Sequence, residues 1–96
     1  EVDSGIGGSV AVSLASCMSN LASKKQVIAI THLASIACHA DTQMVVSKSV
    51  ENGRTYTHLA VVSGEERVHE IARMLSGDES EVSLEHARRM LGGFGR

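Results

Sequence analysis

Asn52-Gly53 restricts the possible folds of this chain more than any other pair of residues. A type I′ turn needs positive φ at both central positions, which Asn and Gly tolerate and most other pairs do not. The flanks "QMVVSKSVE" and "RTYTHLAVV" alternate apolar with polar. Met44, Val46 and Val50 share one face of the first flank, and Leu59 and Val61 share a face of the second. Residues 43–62 are therefore predicted to form a β-hairpin. A lone hairpin is marginal in water and needs an apolar layer to lie against. Helical periodicity on both sides supplies it. Val10, Leu14, Met18 and Leu21, with Cys17 beside them, recur at helical spacing, and Ser9, Ser13, Ser16 and Asn20 lie opposite. After the hairpin, Ser63 and Glu66 have capping-box spacing. Val68, Ile71, Ala72 and Leu75 then form one stripe, and Gly77 ends the helix. A last helix starts near Ser80, buries Leu84, Ala87 and Leu91, and sets Glu85 and Arg89 at ion-pair spacing.

Between the first helix and the hairpin lies "QVIAITH". This run is apolar on both faces and rich in β-branched residues, as suits a strand inside a parallel sheet. "LASIACHA" follows and is expected to be a short helix. The order is helix, buried strand, short helix, hairpin and two helices, an α/β arrangement in one domain over residues 1–96. With one Phe, one Tyr and no Trp among 96 residues, its core must be built from Val, Ile, Leu, Ala and Met.

Composition removes several classes of function. A formal net charge of −2 argues against an overall electrostatic grip on nucleic acid, leaving only the local basic spots Lys24-Lys25, Arg88-Arg89 and Arg96. Neither Cys17 nor Cys38 belongs to a Cys-x-x-Cys pair, so both read as small core thiols of a reduced protein. No apolar run is long enough to cross a bilayer. The acidic, Gly-rich opening is unlike a signal peptide, and a start at Glu1 without Met suggests a fragment or a processed product.

Two stretches carry candidate chemistry, "EVDSGIGG" at 1–8 and "VIAITHLASIACHAD" at 27–41. Taken singly, both have plain readings. "GIGG" without a lysine or a preceding strand is a flexible turn ahead of a helix. His32 alone is a hydrogen-bonded residue at a strand end. His32, Cys38 and His39 make a poor metal site, because adjacent helical residues diverge by about 100°. His58, His69 and His86 fall on expected surfaces.

Taken together, these motifs resemble the back half of an ABC/SMC-type ATPase head, and most closely the RecN family of bacterial SMC-like double-strand-break repair proteins. "EVDSGIGG", "QVIAITHLASIACHAD", "ENGRTYT" and "ERVHEIARMLSG" carry the resemblance, which runs from Glu1 to about Leu91. The chain departs from the family at "THLAS", where "THLPQ" is common, and this affects the geometry after the histidine more than the histidine itself. The resemblance implies the end of the Walker B strand and the D-loop at 1–8. It implies the switch-histidine region at 27–41, the hairpin at 43–62 and the C-terminal helices at 64–91. It implies that Glu1 polarises the attacking water, that Asp3 and Gly5 belong to the nucleotide-contacting D-loop at the interface between heads, and that His32 reaches the γ-phosphate. Glu1 and His32 are thus the implied catalytic residues.

For the full-length protein the resemblance further implies ATP and Mg2+ as cofactors and a second copy of the head as partner. It also implies DNA as the substrate of repair, with a cytoplasmic, nucleoid-associated location and no membrane. The 96 residues contain no G-x-x-x-x-G-K-[ST], so the isolated chain is expected to hold no nucleotide and hydrolyse none. The strand at 26–31 would lack its Walker B neighbour, and self-association over that edge or over the first helix is expected. The alternative is a small stand-alone α/β protein-interaction module without catalytic activity.

Overall fold

The computed structural model describes residues 8–93. Its elements are α1 (Gly8–Ala22), α2 (Ala34–Ala37), β1 (Gln43–Glu51), β2 (Arg54–Val62), α3 (Gly64–Ser76) and α4 (Glu81–Gly92). Among the described residues this is an α/β chain with one two-stranded antiparallel sheet, β1-β2.

The hairpin forms where the Asn-Gly pair requires it. Asn52 has φ 50° and Gly53 φ 76°, and Glu51 pairs with Arg54 across the turn. The register sets Met44 opposite Val61 and Val46 opposite Leu59. Residues directly opposite in an antiparallel pair point to the same side. The two apolar faces expected from the separate strands are therefore one common face. That face is exposed: Met44, Val46, Val50, Leu59 and Val61 all stand out to solvent.

The larger core lies between α3 and α4 and under α2. It is built from Ala34, Ala37, Cys38, Val68, Ile71, Ala72, Leu84, Ala87 and Leu91. The stripes expected on α3 and α4 point into it, with Leu75 packed at its edge. A second, smaller cluster joins α1 to α2 through Ala11, Ala15 and Ile36, with Leu14 and Leu33 packed against it. On α1 the buried stripe is thus Ala11 and Ala15, whereas Val10 and Leu21 are exposed. The expected stripe is displaced because, among the described residues, α1 packs chiefly against a single helical turn. Small alanines allow that close approach, Leu14 packs at its edge, and Val10 and Leu21 are left outside. Cys38 is buried as expected, but Cys17 is exposed, so it is no core thiol.

Residues 26–31 depart most from expectation. They belong to no helix or strand, and Ile28 and Ile30 are 82% and 69% exposed. A buried strand needs a neighbour to receive its backbone hydrogen bonds. β1 and β2 pair only with each other among the described residues. Apolar content alone cannot bury the run.

The helix ends differ in how they are satisfied. Gly77 caps α3 in the left-handed region at φ 77° and donates its N–H to Arg73 O at 2.8 Å. At the N-terminus of α3, the Ser63 side chain makes no capping hydrogen bond, so the capping box read from the sequence is not closed. At α4 the Ser80 hydroxyl accepts from Ser83 N at 3.4 Å. Asp78, just before it, is held below the usual carboxylate range by the backbone N–H of Ser80 and the hydroxyls of Ser83 and Ser80. The two caps should therefore respond differently to mutation. Ser80→Ala is expected to cost about 1 kcal/mol, and Ser63→Ala to stay within about 0.5 kcal/mol. Urea denaturation of both variants checks this, and equal losses would contradict the assigned caps.

Candidate functional site

The site is built around a turn at residues 31–33, immediately before α2. Thr31 Oγ1 accepts a hydrogen bond from the backbone N–H of Leu33 at 3.0 Å. A threonine hydroxyl bonded two residues ahead bends the chain tightly. His32 stands at the bend and is exposed, while Leu33 packs into the small cluster with Ile36. Leu33 also occupies the N-cap position of α2, with φ −98° and ψ 123° and no side-chain cap. Thr31 is a structural contributor that the sequence reading passed over, although a hydroxyl residue two places before Leu33 is a signal for this turn.

α2 is one turn long, and it is gripped on two sides. Ile36 faces α1, and Ala34, Ala37 and Cys38 face α3 and α4. Its far end is closed by side chains and by α3. Cys38 Sγ donates weakly to Ser35 O at 3.6 Å, and His39 Nδ1 lies 2.9 Å from the same carbonyl. A carbonyl can only accept, so His39 carries its proton on Nδ1 in this arrangement. Beyond α2, Arg67 reaches across from α3 into the corner that leads to β1.

The remaining histidines do other things. His58 bonds to Ser49 across the hairpin at 2.8 Å, and His69 pairs with Glu79 on the surface. His86 lies exposed on α4. Glu85 and Arg89 make the expected i,i+4 pair at 2.8 Å. Among the described residues, no three His, Cys, Asp or Glu side chains gather into a metal-binding group. Two surface concavities flank α3, one beside the hairpin with Glu70 and Arg73, the other beside α4 with Arg67 and Arg88. Neither is lined by His32.

Glu1, Asp3 and Gly5 lie outside the described residues. Of the four candidate site residues, His32 alone lies within residues 8–93, and a single imidazole does not by itself hold a triphosphate or its magnesium. No step through either follows from this geometry. Among the described residues no helix is long and apolar enough to cross a membrane.

An α/β chain carrying these motifs has its relatives among bacterial DNA repair proteins. No protein-family model matches it. The DNA repair protein RecN of Deinococcus radiodurans is 53% identical over 93 residues, covering 97% of this chain. RecN of Treponema pallidum is 49% identical and RecN of Bacillus subtilis 38%, each over 92 residues and 95% of this chain. The chain belongs to the RecN family, and it spans 16% of the length of each of these relatives. A stand-alone interaction module is not favoured by relatives in which this sequence is one stretch of a much longer protein.

Proposed function

We propose that this sequence is the switch-histidine part of an ATPase head that works in DNA double-strand-break repair. The supporting observation is the identity to RecN across 97% of the chain, together with an exposed His32 at the bend before α2. In this reading Glu1, Asp3, Gly5 and His32 are the chain's contribution to a nucleotide site that takes ATP with Mg2+. The phosphate-gripping loop comes from elsewhere in the head. A second copy of the head completes the site, DNA is the substrate of repair, and the protein works in the cytoplasm at the nucleoid.

His32 supports the reading by its chemistry. A neutral imidazole can donate a hydrogen bond to a phosphoryl oxygen, and donors aimed at developing charge are worth about 10²- to 10³-fold in rate. In the longer protein that contains this chain, His32→Ala is expected to lower kcat for ATP hydrolysis by that factor. Steady-state turnover with saturating ATP measures it. Wild-type turnover in the variant would remove His32 from the site, and no turnover in the parent would remove the ATPase reading altogether.

A further inference from the structure

Arg67 is a charged side chain in the interior, 6% exposed, within the stretch "ERVHEIARMLSG". Helical periodicity gives it no place in the α3 stripe. Its fork explains the burial. Nε donates to Gln43 Oε1 at 2.9 Å, and Nη2 donates to Ala37 O at 3.1 Å and to Ala40 O at 2.8 Å. Gln43 is also buried, at 7% exposure, and its amide nitrogen reaches Met74 Sδ at 3.9 Å. One guanidinium therefore joins α3 to the last residue of α2, to the corner after it and to the first residue of β1.

Ala37 O closes the C-terminal end of the four-residue helix, where intrahelical donors run out, and Ala40 O lies in the corner just beyond it. His32 sits at the opposite end of the same turn. A turn of four residues rises only about 6 Å. It is wedged between α1, which Ile36 meets through Ala11 and Ala15, and the larger core on α3 and α4. A turn so short and so held moves as one piece, so fixing the 37–43 corner also fixes the bend at 31–33.

We propose that Arg67 is a positioning residue for His32, acting through α2. Lysine cannot replace it. An ammonium is a single point of charge without the planar fork that reaches acceptors on three segments at once.

The test uses the longer protein that contains this chain, with Arg67→Lys and Arg67→Met made alone and Arg67→Lys combined with His32→Ala. Hydrogen exchange by mass spectrometry is the first readout. Exchange in residues 31–40 is expected to quicken at least about 10-fold in both single variants, with α4 and the hairpin tip unchanged. No change, or equal quickening through α3, α4 and the hairpin, would make Arg67 an ordinary core residue and overturn the proposal.

The second readout rests on the ATPase reading of His32. Arg67→Lys should lower kcat about 10-fold with KM for ATP within about twofold, because a misplaced group costs rate more than binding. It should cost nothing further once His32 is alanine. An equal loss of kcat in the His32→Ala background overturns the proposal. Unchanged kcat in His32→Ala removes His32 from the nucleotide site instead, and the exchange data then decide the role of Arg67 by themselves.

Discussion

Glu1→Gln in the longer protein is expected to lower ATP turnover by about 10²- to 10⁴-fold while leaving ATP-dependent association of two heads intact. The amide keeps the size and shape of the carboxylate but cannot accept a proton from water. Binding needs only the shape, whereas hydrolysis needs the base. The two readouts should therefore separate, with ATP-dependent dimer preserved in sedimentation and phosphate release nearly abolished. Turnover equal to wild type would show that Glu1 does not position the water. Loss of association together with turnover would show a structural role instead. Glu1 lies outside the described residues, so this expectation rests on the family resemblance and on the chemistry of a carboxylate.

The second large effect belongs to the core. Ile71 is 0% exposed and lies in the cluster where α3 meets α4, among Val68, Ala72, Leu84, Ala87 and Leu91. Truncation to alanine removes three carbons from a site with no solvent to fill it, which costs about 2–5 kcal/mol. Whole domains are stable by only about 5–15 kcal/mol, so Ile71→Ala should shift the denaturation midpoint far down or abolish the transition. Val82 lies one helix away and is 81% exposed. Val82→Ala should stay within about 0.5 kcal/mol. Urea titrations of the two variants make the comparison, and similar losses would mean that α3 and α4 do not pack as described.

The elements read correctly from sequence are those whose determinants are local. Asn52-Gly53 sets the hairpin because positive φ is needed at both positions whatever surrounds them. The α3 and α4 stripes point inward because the two helices follow each other through a short connection and pack mainly on one another. Gly77 ends α3 for the same local reason as the hairpin glycine. His32 became a candidate through family resemblance, not through any local signal, since an exposed histidine at a bend is unremarkable by itself.

Where the reading went wrong, the deciding partner lay far away in sequence. The capping box at Ser63 has the right letters, yet its hydroxyl makes no capping bond. The stripe on α1 has good spacing, but what a helix buries depends on what it meets. Among the described residues it packs on one turn of helix, where Ala11 and Ala15 are buried and Leu14 lies beside them. "VIAI" is apolar enough for a buried strand, but burial requires a neighbour, and among the described residues it has none.

Arg67 was the residue least open to sequence reasoning. A charged residue that follows Glu65-Glu66 and precedes the first stripe position, Val68, reads as solvent-facing. Its acceptors are Ala37 O, Ala40 O and Gln43 Oε1, 24 to 30 residues earlier. Their placement follows only once α2, β1 and α3 are packed. The turn, the stop of α3 at Gly77 and the paired stripes of α3 and α4 follow from the residues alone, because φ preferences and nearest-neighbour periodicity act within a few residues. The tertiary structure alone decided which apolar runs are covered and which buried charge is satisfied, because both depend on acceptors and surfaces supplied by distant parts of the chain.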